Sequence, residues 1–453
     1  MRLRATLGPV LFLPILCAAP AAAQDAHYWT EQYGNRARLL SGSVIGSSRD
    51  LAAVYYNPGA MALVADPELL LSANVYQYTH YAVSVDDARV SDLSQNRFGS
   101  PPSLFAGEAK LGFLGKTRFA YSVLTRYSTD IRLESATALS SITDPIGDEF
   151  DQVAAGVRFE QKLSETWVGF TLSRRLSDNW GIGISPYVTV RSQRFGNQLS
   201  FQAQDTAGNA GIILETSQTK FINWRLLAKI GASAVYGPWR VGATITTPSL
   251  RLFGDGSVAA TRSIAVQEGP GNIIAVVDED IPADYKAPLT IGVGGGYDWS
   301  RTSLNVALEY FSQIDSTTVM DPGSVIDPAT GDTLDLSFIQ AFDPVLNFSV
   351  GVQHVFSEKL EGYAGFRTDF SAKVDDSDPA SLPLAAWNIY HVSTGATFDL
   401  GRSHFTLGGV FAYGGAEDNT PVLNPEEDPL VEQTASIKYL RFTIILGFSV
   451  FFD

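Results

Sequence analysis

Five residues at two-residue spacing carry the most chemistry in this chain: Tyr187, Thr189, Arg191, Gln193 and Phe195. Alternate residues of a strand share one face, so a guanidinium stands between two aromatic rings. That set suits an amphiphile: the guanidinium binds a carboxylate through two parallel hydrogen bonds, while Tyr187 and Phe195 hold an apolar chain. The competing reading is a lumen charge neutralised by the protein's own acid, such as Glu309, because buried charges pair.

Catalytic constellations do not emerge. Of the five histidines, His27, His80, His354, His391 and His404, only His391 and His404 fall on an inward parity. Strand register offers neither of them a serine or carboxylate partner. Gly292-Val293-Gly294-Gly295-Gly296 mimics a nucleotide loop but sits inside a strand with no helix after it, so it reads as close packing. Asp321, Asp327, Asp332 and Asp335 do not have the spacing of an EF-hand calcium loop. We expect no enzyme and no cofactor.

The scaffold follows from composition and pattern. The 453 residues are 45% hydrophobic, 11% aromatic and 18% charged, with 40 Gly, one Cys and a net charge of −16. The apolar content excludes a disordered chain, the single Cys excludes a disulfide scaffold, and the acidity excludes a nucleic-acid partner. Arg2 and Arg4, an apolar run from Ala5 to Cys17 and Ala21-Ala22-Ala23 have the three-part layout of a signal peptide over 1–23. Beyond Gln24 no run of about 20 apolar residues could span a bilayer as a helix.

Strands are the alternative. In the C-terminal segment Leu440, Phe442, Ile444, Leu446, Phe448, Val450 and Phe452 form one apolar parity against Tyr439, Arg441, Thr443, Ile445, Gly447 and Ser449. The same alternation recurs at Leu304–Tyr310, Leu346–Val352 and Phe405–Tyr413, and its polar parity is Gly, Ser, Thr and Asn. Small polar residues suit a crowded lumen, so a transmembrane antiparallel β-barrel accounts for the pattern better than a soluble sandwich. Fourteen strands are expected, at 69–83, 101–113, 117–133, 152–176, 179–197, 219–236, 239–252, 286–298, 302–315, 345–356, 359–371, 387–400, 403–415 and 435–451. Tight turns alternate with long loops, which places both termini in the periplasm of a bacterial outer membrane. Trp180, Trp239 and Trp299 sit beside short turns, where an interfacial girdle belongs. Segments 316–344, 372–386 and 416–434 hold fourteen acids and one lysine, Lys373, a solvated outer surface.

Residues 24–68 do not alternate, and as a free leader they would expose Val54, Tyr55, Tyr56, Met61 and Leu63. A compact segment inside the barrel, 69–453, is the better account. Asp50 to Leu63, with Asn57-Pro58-Gly59 after two aromatics, resembles the N-terminal plug of FadL-like outer-membrane transporters of long-chain fatty acids and hydrocarbons. Gly59 stands where that family usually has Ala. The hairpins Thr166–Arg194, Leu289–Gln313, Phe348–Phe370 and Tyr390–Tyr413 extend the resemblance over most of the mature chain.

The resemblance implies a monomeric barrel closed by a hatch, with the motif Asn57, Pro58 and Gly59. Hydrophobic molecules would be captured at the outer loops, passed into an apolar pocket and released laterally after hatch movement. It places Arg191 close to the family's basic lumen residue. The counterpart region, Phe311 to Asp315, supplies Phe311 but no second basic residue, which leaves neutral hydrocarbons open as substrates. Outer-membrane lipid and lipopolysaccharide would surround the barrel, and the assembly machinery would read the Phe448, Val450, Phe452 end. For a lateral opening, 117–133 contains no Gly or Pro to announce a kink, whereas Pro101-Pro102 and Gly107 weaken pairing next door. A nonselective porin and a structural or adhesive surface barrel are the alternatives; the plug segment argues against a porin.

Overall fold

The computed structural model describes residues 26–64, 69–85, 93–99, 102–143, 149–267, 271–326, 333–374, 387–401, 403–422 and 431–450. The expected signal peptide over 1–23, Asp327 and Asp332 of the acidic segment, and Phe452 lie outside the described residues, as do the side chains of Phe448 and Val450.

Fourteen strands succeed one another in one antiparallel ladder: β1 Leu69–Val85, β2 Pro102–Ala109, β3 Thr117–Thr143, β4 Glu149–Arg175, β5 Trp180–Asp205, β6 Ala210–Tyr236, β7 Trp239–Thr246, β8 Thr290–Trp299, β9 Thr302–Phe311, β10 Val345–Ser357, β11 Leu360–Asp369, β12 Ile389–Asp399, β13 Ser403–Val422 and β14 Val431–Val450. Each pairs with the next. The ladder then returns to its start, because β14 pairs with β1 through Tyr78↔Phe442 and its neighbours. An apolar surround leaves a spanning sheet no free edge, since lipid offers backbone groups no partner.

Burial is inverted relative to a soluble protein. Val306, Leu308 and Tyr310 of β9 are exposed while Asn305, Ala307 and Glu309 are buried, and β10 and β14 follow the same rule. The short turns gather at one end, where Trp180, Trp239 and Trp299 are exposed on the outer face. Gly237 and Gly401 take φ of 56° and 88° there, a region open to glycine at no steric cost.

All fourteen expected strands occur, but several run past their expected ends. β3, β4 and β6 have 27 residues each, about 90 Å at 3.3 Å per residue, far more than an apolar band about 25 Å tall requires. Their outer ends carry polar outward residues such as Asp130, Arg132 and Glu134, so the apolar alternation stops while the hydrogen-bond ladder continues. β7 ends at Thr246 rather than 252, and β8 begins at Thr290 rather than 286. In the expected loop between them a hairpin, Leu250–Val266 with Asn272–Pro282, pairs with the outer half of β6. A further strand, Leu93–Gly99, pairs with β1. In β3 the pairing with β4 slips between Thr125 and Tyr127, leaving Arg126 as an extra residue. The irregularity therefore comes from a bulge, which needs neither Gly nor Pro.

The topology has a direct test. Cysteine replacing Ala207, at the tip between β5 and β6, should react with an impermeant maleimide on intact cells, and cysteine replacing Asn179 should react only after lysis. The reverse pattern would invert the orientation.

Candidate functional site

Residues 26–64 lie against the inner face of the wall. They form three short helices, α1 Asn35–Leu39, α2 Ala53–Tyr56 and α3 Pro58–Met61, and bury Tyr33, Leu39, Leu40, Leu51, Val54 and Met61. Helices this short do not hold themselves in water; packing holds them here, and α3 has a side-chain cap as well. Asn57 caps α3, its Oδ1 accepting from the Gly59 backbone at 3.0 Å, with Pro58 at the first helical position. Asn57 Nδ2 donates to Ile45 O at 2.8 Å and to Ala232 O of β6 at 2.9 Å. One side chain thus joins the helix cap, the preceding loop and the wall.

Glycines make that approach possible. A Cβ on Gly59 would lie 2.6 Å from Gly231 O, and a Cβ on Gly231 would lie 2.2 Å from Asn57 Oδ1. Gly183, Gly242, Gly294 and Gly408, on four other strands, likewise face the N-terminal segment with no space for a side chain. Polar ties complete the seat: Tyr187 Oη donates to Val54 O at 2.8 Å, Ser41 and Ser393 share a 2.7 Å hydrogen bond, and Arg49 meets Asp298 at 2.8 Å. Burial pushes the Tyr55 hydroxyl up to about 12 and raises the Asp50 carboxyl, with Arg36 acting against the latter.

Beside the segment lies a cavity of about 50 Å³ lined by Tyr28, Arg126, Trp167, Arg191, Tyr285 and Phe311, among others. Arg191 and Phe311 therefore meet there. Tyr187 and Phe195 do not: Tyr187 packs under α2, and Phe195 joins a separate cluster with Phe159. Sharing a face does not mean sharing a site, because four residues span about 13 Å along a strand.

Arg191 is paired with Glu165 at 3.2 Å, not with Glu309. Glu165 also accepts from Arg225 at 2.6 Å and from the Trp167 indole at 2.7 Å. Glu309 instead meets Lys229 at 3.5 Å and the Trp29 indole. Arg225 and Arg126 join Arg191 in the lining of this cavity, which is aromatic and charged. Arg191 stacks 3.8 Å from the Tyr285 ring centroid. Arg126 Nη1 and Arg225 Nε are buried without a hydrogen-bond acceptor among the described residues.

Residues 26–32 form a strap across this space. Tyr28 stacks on Phe311 at 4.3 Å, and its carbonyl accepts from Arg126. On the opposite wall Asp369 accepts from the backbones of Tyr28 and Trp29 and from the Thr30 hydroxyl, at 3.1, 2.8 and 2.7 Å. The expectation that register gives neither histidine a carboxylate is corrected: His404 lies 3.6 Å from Asp399, its own register partner, and His391 lies 3.9 Å from Asp369, two residues beyond its register partner Arg367. The serine nearest His391 in sequence, Ser393, is committed to Ser41 and Leu39 O.

No protein-family model matches the sequence, and no curated protein does. Solved structures do match. A Pseudomonas aeruginosa FadL homologue superposes with a TM-score of 0.63 at 12% identity, covering 94% of this chain and all of that one. The chain has the FadL-type fold. The Pseudomonas putida toluene transporter TodX gives 0.55 at 14% identity, covering 93% of this chain and 99% of its own. The monoaromatic hydrocarbon channel CymD gives 0.56 at 12%, covering 93% and 97%.

The shared carboxylate makes a sharp prediction. Glu165→Gln leaves Arg191 and Arg225 facing each other without their common anion, and breaking a buried ion pair this way costs about 3–5 kcal/mol. Urea unfolding in detergent, followed by tryptophan fluorescence, should show a loss of that order. A loss much smaller than this would mean that water screens the cluster.

Proposed function

We propose that this chain is an outer-membrane transporter of hydrophobic small molecules, with residues 26–64 as its hatch and the Arg191–Phe311 cavity as its ligand site. The observation that carries the reading is the seat itself. A chain that needed an open aqueous pore would not fill its lumen with a buried segment fitted to wall glycines. The neighbours of known structure, a toluene transporter and a monoaromatic hydrocarbon channel, support the same class.

In this reading the strap holds the ligand's place. A cavity of about 50 Å³ admits a few water molecules but no hydrocarbon chain. An incoming molecule displaces Tyr28 from Phe311 and lies on Trp167, Tyr285 and Phe311. The buried, acceptor-free nitrogens of Arg126 and Arg225 favour a carboxylate head on that molecule, since an unsatisfied buried donor costs about 1–3 kcal/mol. Loss of the Arg126 contact to Tyr28 then loosens the strap, and with it the hatch.

Deleting 26–64 should leave a folded barrel and convert a nearly silent protein into an ion-conducting one in planar bilayers. High conductance of the intact chain would favour a porin instead. Dodecanoate should bind the intact chain at least tenfold more tightly than dodecanol, read by tryptophan quenching; equal affinities would remove the carboxylate from the proposal and leave neutral solutes.

A further inference from the structure

On the outer face of the wall, three cations stand side by side. Lys162 of β4 is the register partner of Arg194 of β5, and Arg194 is the partner of Lys220 of β6. All three are exposed, while the adjacent residues Leu163, Phe195 and Phe221 are buried towards the lumen. Like charges directly opposite one another destabilise a strand pair, with Cβ atoms only about 5 Å apart. Here that unfavourable placement occurs twice in succession.

The nearby acids do not neutralise the row. Asp130, opposite Lys162, pairs with Arg97 at 3.6 Å. Glu160, one step further out, pairs with Arg132 and Arg158, each at 3.6 Å. Asp255 lies opposite Ile222, one step below the row on the neighbouring hairpin. Among the described residues none of the three cations has an ion-pair partner.

Their height is equally specific. Trp224 and Phe253 stack at 5.2 Å on the outer face, far from the girdle of Trp180 and Trp239 at the short turns. Paired aromatics of this kind mark a membrane interface. Lys220 lies four residues beyond Trp224, about 10 Å further along the membrane normal at a strand tilt of 35–45°. Below the row the wall is apolar, with Val168, Ile222, Leu226 and Ile230 exposed. The chain as a whole is acidic, with a net charge of −16, so a local cationic row runs against its general field.

We propose that Lys162, Arg194 and Lys220 bind the phosphate groups of a phosphorylated glycolipid of the outer leaflet, lipid A, whose acyl chains lie on the apolar wall beneath. The inference rests on the orientation adopted above, which the Ala207 labelling tests separately, and not on transport. Phosphates relieve the repulsion along the row through charge-assisted hydrogen bonds, and the long side chains reach down to the headgroup plane.

The test offers bisphosphorylated lipid A to the mature chain in detergent and reads the complex by native mass spectrometry. Lys162→Gln/Arg194→Gln/Lys220→Gln should bind at least tenfold more weakly than wild type. Lipid A stripped of both phosphates should lose as much on wild type, an arm that stands even where the triple variant fails to fold. Without lipid the variant should melt no lower than wild type, because repulsion has been removed; added lipid A should raise only the wild-type Tm. Unchanged binding by the folded variant, equal binding of dephosphorylated lipid, or equal competition by phosphatidylglycerol vesicles would each overturn the assignment.

Discussion

A strand wall can accept a second layer of backbone inside it only where its side chains are missing. In this protein that constraint falls on the contact between Asn57–Gly59 and the wall at Gly183 and Gly231. With side chains at those positions, the layers would stand apart by at least the thickness of a methyl group. Asn57 Nδ2 could not then reach Ala232 O at 2.9 Å. Without that hydrogen bond the cap on α3 would be tied only to its own segment. Leaving the buried Asn57 amide without that acceptor would be costly, so the cap and the wall glycines depend on each other. The wall takes part in that contact through residues that have no side chain at all.

The strap is held differently. It is fixed by charge: Asp369 and Arg367 hold the backbone of residues 28–30 from one wall, while Arg126 holds it from the other. Charge-assisted hydrogen bonds are strong where water is scarce, and the one from Arg126 is accepted by a neutral carbonyl. In the proposed function a carboxylate takes the place of that carbonyl on Arg126. It cannot take the place of Asn57 between two backbones. The same segment therefore has an exchangeable end near the cavity and a fixed end against the wall.

The barrel was legible in the sequence because lipid imposes an alternation that soluble proteins do not show; Val306, Leu308 and Tyr310 announce it on β9 alone. What the sequence concealed lies beyond the lipid. Where β3 continues through Arg132 and Glu134, its pairing is as regular as below, but no solvent asymmetry writes it into the residue types. The candidate site was half legible. Tyr187 and Phe195 share the inward parity of Arg191 without sharing its surroundings, since parity fixes a face and says nothing of depth. Glu165 was within reach: it lies thirteen residues before the Asp178 turn, as Arg191 lies thirteen after it, and a tight hairpin places such residues opposite each other. Arg225 and Arg126 were not. The first depends on the register of β5 with β6, hidden because the expected strands left 198–218 as a loop where the structure turns at 206–209. The second depends on a bulge that no Gly or Pro marks.

Charge divides the molecule by environment. Inside the lumen Glu165 is shared by two arginines, because a dehydrated charge must find a partner within the protein. At the outer polar edge Arg132, Glu134, Arg158 and Glu160 alternate in sign across the pairing of β3 with β4, as an exposed sheet does when only water faces it. Between these two zones, at the height of the headgroups, β3 and β4 still set Asp130 opposite Lys162, but across β4, β5 and β6 the charges are of one sign, Lys162, Arg194 and Lys220. If water were the only medium there, the opposite-sign pairing that serves β3 and β4 would serve β4, β5 and β6 equally well. The like-charged row across those three strands is the argument that an anionic partner faces it.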